Sequence, residues 1–169
     1  MRCAGAIGWS MLVALSCGLG CNVDVEQEGC DLTAPREDFA PVSSMLGTHC
    51  GSLDCHGQLG RPLRLYNGRG LRLDPDDLSG HGGTRSAEHE ANLRAVVGLE
   101  PELTCAVLDA RGRDPARLSL VRKASGTEHH EGGVVLRSGA DGMNCLLGWL
   151  SGEVDQAECE RAAETERPK

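Results

Sequence analysis

The stretch Phe39-Ala40-Pro41-Val42-Ser43-Ser44-Met45-Leu46-Gly47-Thr48-His49-Cys50-Gly51-Ser52-Leu53-Asp54-Cys55-His56 carries an apolar stripe straight into a cysteine motif. Phe39, Val42 and Leu46 recur at i, i+3 and i+7, with Met45 alongside. That spacing describes one buried face of a helix of about three turns. Upstream, Thr33-Ala34-Pro35 supplies a helix start, with Glu37 and Asp38 in the first turn where the macrodipole favours anions. The helix is expected to deliver its last residues into the cysteine motif. A second apolar helix is predicted from Asp141, bearing Leu146, Leu147, Trp149 and Leu150 before Gly152 stops it. These two helices are expected to cross and pack.

Between them the pattern is helical with long connections. Residues 57–85 are rich in Gly, Arg and Asp, and Leu63, Leu65, Leu71 and Leu73 alternate with polar residues. The alternation predicts a short hairpin around Asn67-Gly68. Its basic residues, Arg61 to Arg72, are followed at once by Asp74, Asp76 and Asp77, which reads as a solvated loop. Helices are predicted over Ser86 to Val97 and Pro101 to Asp109, and a short one opening at Asp114-Pro115 with Leu118 and Val121. The segment after Glu153 is charged and reads as a fraying tail, pinned only where Cys159 forms a bond. The expected class is mostly α with long loops: a domain over 35–152 and a charged tail over 153–169.

The first twenty residues differ in kind. Arg2 is their only charge, and Ala4 to Leu19 is small and apolar, too short for a stable transmembrane helix. Residues 1–20 therefore read as a lipoprotein signal peptide and 21–34 as a polar, acidic tether. Either Cys17 or Cys21 could be the acylated residue. Cys21 leaves an even set of six cysteines: Cys30, Cys50, Cys55, Cys105, Cys145 and Cys159. Even parity suits an oxidising compartment. The expected location is the periplasm or outer membrane, held through the lipid. The chain carries 17 basic residues against 25 acidic ones, which argues against a nucleic-acid surface. Beyond the leader its aromatic residues are Phe39, Tyr66 and Trp149 alone. Aromatic side chains normally supply much of a small core, so disulfides or a large buried cofactor are expected to compensate.

Cys50-x4-Cys55-His56 is the chemically loaded motif. Two thiols followed at once by an imidazole suit covalent haem attachment: the thiols add to the vinyl groups as thioethers, and the histidine becomes the proximal iron ligand. The usual interval between the cysteines is two residues, and here it is four. Two other readings stay open. Cys50 and Cys55 could form a local disulfide within a set of three bridges. Alternatively His49, Cys50, Cys55 and His56 could bind zinc, whose ligand types match although the adjacent His-Cys pairs are tight for one tetrahedral ion. Among the remaining cysteines, Cys105 is expected to pair with Cys145, and Cys30 with Cys159.

The pieces Thr48 to Gly57, Gly70-Leu71-Arg72-Leu73, Leu120-Val121-Arg122-Lys123, His130-Glu131-Gly132-Gly133 and Cys145 to Leu150 resemble the small cytochrome c-like domains of exported myxobacterial and planctomycete proteins. They cover about half of the chain beyond the leader. The resemblance implies an all-α cytochrome c-like fold holding one haem c, with Cys50 and Cys55 as attachment points and His56 as the proximal ligand. It also implies His130 as the distal ligand, in a glycine-flanked segment where backbone can approach a cofactor closely. Met143 is the alternative distal ligand, with His129 and His81 behind it. No nucleophile elbow, zinc-protease motif or phosphate-binding glycine loop is present. The expected function is therefore a non-enzymatic, single-haem electron carrier serving an unknown redox protein. The competing expectation is a cofactor-free, disulfide-stapled surface lipoprotein with a binding or structural role.

Overall fold

The computed structural model describes residues 38–165. Among them are six α-helices and one 3-10 turn: α1 (Phe39–Cys50), α2 (Ser86–Val97), α3 (Pro101–Asp109), the 3-10 turn Pro115–Arg117, α4 (Ser119–Ser125), α5 (Asp141–Ser151) and α6 (Gln156–Glu164). The fold is small, all-α and loop-rich. The stripe on α1 behaves as its spacing requires, with Phe39, Val42, Met45 and Leu46 all essentially excluded from solvent. Phe39 meets Trp149 of α5 edge to face, ring centres 5.0 Å apart at 63°, so the first and fifth helices pack as expected. The predicted start at Thr33-Ala34-Pro35 lies outside the described residues, as do the leader, the tether, Cys17, Cys21 and Cys30. No described helix is long and apolar enough to cross a membrane.

Several expectations are corrected. The segment read as a charged tail forms α6, which lies along α1 and α5 and buries Cys159 and Ala162. Its C-terminal carbonyls, which a helix leaves without internal partners, are claimed by α1. Thr48 Oγ1 donates to Ala163 O at 3.1 Å, and His49 Nε2 donates to Ala162 O at 2.9 Å. The cysteine pairing differs too. Cys145 is bonded to Cys159, joining α5 to α6, so neither Cys105–Cys145 nor Cys30–Cys159 forms. Cys105 is disulfide-bonded as well. Finally, the hairpin around Asn67-Gly68 is absent: the segment is a turn with one isolated bridge between Tyr66 and Leu71. Leu63 and Leu65 are buried there while Leu73 is 41% exposed, so the alternating leucines share no face.

Side chains from the loop and α2 replace the missing strand pairing. Asn92 on α2 is fully buried; it accepts from Tyr66 N at 2.7 Å and donates to Tyr66 O and Ser43 Oγ, each at 2.8 Å. Asn67 donates to Gly51 O at 2.8 Å. A Cβ at Gly47, Gly51 or Gly70 would fall within 2.9 Å of its side chain, so three glycines make room for one amide. The basic loop is exposed at Arg61 and Arg69, as a solvated loop should be, but not at Arg72. Arg72 is 4% exposed and pairs at 2.9 Å with Glu88, itself 2% exposed. Glu88 also accepts from Leu73 N and, at the start of α2, from Arg85 N. Burial alone would raise the Glu88 carboxyl. Those two N–H groups and the Arg72 guanidinium win, and hold it below the usual carboxylate range.

The core runs through α1, α2, α3, α4, α5 and α6 on aliphatic side chains, among them Leu93, Val96, Val107, Leu146 and Leu150. Aliphatic packing and two disulfide-bonded helices thus supply what the scarcity of aromatics withholds.

Candidate functional site

Four of the residues singled out in the sequence line one cavity. Cys50, Cys55, His56 and His130 face a space of about 350 Å³ whose remaining walls are chiefly Pro62, Leu63, Leu99, Leu120, Ala124 and Val135. Concave, mainly apolar sites of this size with a few convergent polar groups are the usual form of small-molecule and cofactor pockets. Charged groups, Asp54, Arg61, Lys123 and Glu131, complete the lining.

The cysteine side is built by a turn at the end of α1. Cys55 N donates to Ser52 O at 2.9 Å, and His56 N reaches back to Cys50 O at 3.0 Å. The four residues between the cysteines are thereby folded into a closed turn, and Cys55 and His56 return to the helix end that carries Cys50. Cys55 is a free thiol, so no local disulfide joins it to Cys50. His56 is gripped twice by the strand-like segment that follows. Its carbonyl accepts from Leu65 N at 2.8 Å, and its Nδ1 donates to Leu63 O at 2.8 Å. Engaging Nδ1 in this way fixes the tautomer and leaves the Nε2 lone pair for another partner, the arrangement metal-bound imidazoles use. Burial lowers the proton affinity of His56; the Leu63 carbonyl opposes this, and the nearby His130 and Arg61 reinforce it. A neutral imidazole, the ligating form, is favoured.

The histidine opposite is set by a different clamp. After α4, Glu128 N donates to Arg122 O, and the Glu128 carboxylate pairs with Arg122 at 2.8 Å and Lys123 at 2.6 Å. Beyond the loop, Val135 N and Leu136 N both donate to Ala124 O. This returns residues 128–135 to α4 and places His130 in the cavity wall. Gly132 is required there: a Cβ would sit 2.9 Å from His130 Cε1. His130 Nδ1 is buried and has no hydrogen-bond partner.

The His56 and His130 rings lie 5.8 Å apart, centre to centre, with 10° between their planes. Two imidazoles whose nitrogens each sit about 2.0 Å from one metal ion have ring centres roughly 6 Å apart. The centre-to-centre spacing is close to that of two imidazoles sharing one metal ion, with the ring planes stacked nearly parallel. A tetrapyrrole brings four equatorial nitrogens of its own, so two protein ligands match what haem needs. No group of three or more metal-ligating side chains occurs among the described residues.

The other candidates are placed elsewhere. His49 turns away to α6, so the zinc quartet His49, Cys50, Cys55 and His56 is not assembled. Met143, the alternative distal ligand, is buried on α5 and is not part of the cavity wall. His129 and His81 are exposed; their carbonyls accept from Lys123 and Arg72, and the His81 ring bonds to Ser79 O, so neither lines the cavity. The sequence reading missed Leu63, whose carbonyl orients His56, and Glu128, whose charge was visible but whose two cationic partners require the fold. No protein-family model, curated protein or solved structure matches this chain.

Proposed function

We propose that this cavity holds one haem c and that the protein is a single-haem electron carrier of the cell envelope. Cys50 and Cys55 would carry the two thioethers, with His56 as proximal and His130 as distal ligand. The observation that carries the reading is the facing His56–His130 pair, 5.8 Å apart, over a cavity lined by both cysteines of the motif. Bound haem would supply a one-electron couple. The chain's own part is to orient His56 through Leu63, to favour its neutral form by burial, to hold His130 beside it, and to surround the pair with apolar walls. Export with lipidation at Cys21, and an unidentified redox protein as partner, belong to the same proposal.

The test is the absorption spectrum of protein expressed with haem-maturation machinery, beside a haem stain after denaturing electrophoresis. The expected result is a low-spin spectrum and haem that stays with the chain. His130→Ala should turn the spectrum high-spin without releasing the haem. A colourless protein overturns the reading. One observation favours a second reading, a cofactor-free stapled lipoprotein with a binding role: the helical core is already closed by aliphatic side chains. That reading expects the colourless result, and a fold weakened by reductant.

A further inference from the structure

Beside the cavity lined by the cysteine motif, and sharing the Arg61-Pro62 wall with it, lies a second, more open cavity of about 560 Å³. Arg61 and Arg64 enter it from the loop and Arg94 from α2, with Tyr66, Ala91 and Ala95 among the remaining walls. No Asp or Glu lines it, on a chain whose net charge is −8. The three guanidiniums are held differently from Arg72, which is buried in carboxylates. Arg64 lies over the Tyr66 ring, its Cζ 5.5 Å from the centroid, a contact that uses the face of the guanidinium rather than its N–H donors. Arg94 has only a long, exposed contact with Glu90, at 3.6 Å within its own helix, the kind of pair that contributes little.

We propose that this cavity is a binding site for a small organic anion bearing two or more carboxylates. Guanidinium groups bind carboxylates in paired, planar hydrogen bonds, and several converging on one space suit an anion of multiple charge. Pro62, Ala91 and Ala95 give the carbon skeleton an apolar surface, which an inorganic anion would not use. The site makes no use of the cysteine motif and stands whether or not haem is bound.

The experiment is calorimetric titration of the purified protein with citrate at low ionic strength, with pyrophosphate as the inorganic comparison. Saturable citrate binding is expected, weakened roughly tenfold by Arg64→Ala and again by Arg94→Ala. Arg94 is exposed, so its variant tests the site without disturbing the core, and an unchanged thermal melt verifies the fold. No saturable binding of citrate overturns the proposal, as does binding that survives both substitutions. Pyrophosphate binding more tightly than citrate overturns the assignment to organic carboxylates. A colourless protein that still binds citrate would defeat the haem reading and leave this one standing.

Discussion

Replacing Cys145 and Cys159 together with Ala tests how α6 is held. The crosslink closes a loop across a sequence separation of 14, and the loop-entropy model assigns about 3 kcal/mol to a closure of that length. α6 is short, and a nine-residue helix is marginal alone; its buried residues are only Cys159 and Ala162. Little else therefore offsets the loss. Urea unfolding followed by far-UV circular dichroism is the assay. With a slope of roughly 1–3 kcal/mol per molar urea, the midpoint should fall by about 1–3 M. Both cysteines are fully buried, so part of the effect in the alanine variant comes from the space the sulfurs leave. Reduced wild-type protein, which keeps those atoms, isolates the crosslink. A loss below about 1 kcal/mol in both samples would refute the reasoning, and would mean that Thr48, His49 and side-chain packing hold α6 unaided.

Glu88→Ala should destabilise the protein by about 3–5 kcal/mol, because it strands the buried Arg72; a Glu88→Leu, Arg72→Met double variant should recover most of that, as read by thermal melting. Haem-free protein should lose stability as pH falls below about 6.5. Burial depresses the proton affinity of both His56 and His89 in the fold, so the unfolded chain binds more protons in that window; His89→Gln should flatten the dependence. The depressed Glu88 carboxyl works in a separate window: its contribution is complete above the ordinary carboxylate value and disappears only as pH falls through the folded one. Gly132→Ala should displace the His130 ring and convert haem-loaded protein towards a high-spin spectrum, with little change in haem retention; an unaltered low-spin spectrum would remove His130 from the ligand pair.

What was legible in the chain was whatever local periodicity controls. The stripe Phe39, Val42, Leu46 and the bounds of α2 and α3 follow from apolar spacing and from Pro101 at a helix start. The convergence of Cys50, Cys55, His56 and His130 followed from motif and resemblance, and the four do line one cavity. α6 was hidden because its buried face consists of Cys159 and Ala162 amid charged residues, too narrow a stripe for a period to register. The pairing of Cys145 with Cys159 depends on how α5 turns into α6, which no spacing encodes. Arg72 and Glu88 look solvated in sequence, since burial of a charge is decided by its partner. The alternating leucines after the motif misled because the loop buries Leu63 and a consecutive run from Leu65 and leaves Leu73 exposed, so the alternation marks no strand face.

The grip of α1 on α6 has a consequence for how the chain acquires its structure. Thr48 and Ala163 are 115 residues apart, and His49 and Ala162 are 113 apart, so the contact that completes the first described helix waits for the last. At synthesis rates of about 5–20 residues per second, that interval is roughly 6–23 s. For most of it Phe39, Val42, Met45 and Leu46 have neither α5 nor α6 to cover them. A contact pattern this non-local slows closure of the core and leaves a sticky apolar ridge beside the cysteine motif until the chain is nearly finished. In vectorial synthesis the ridge is thus a window of vulnerability to aggregation, and also the period in which Cys50 and Cys55 are most open to any maturation enzyme.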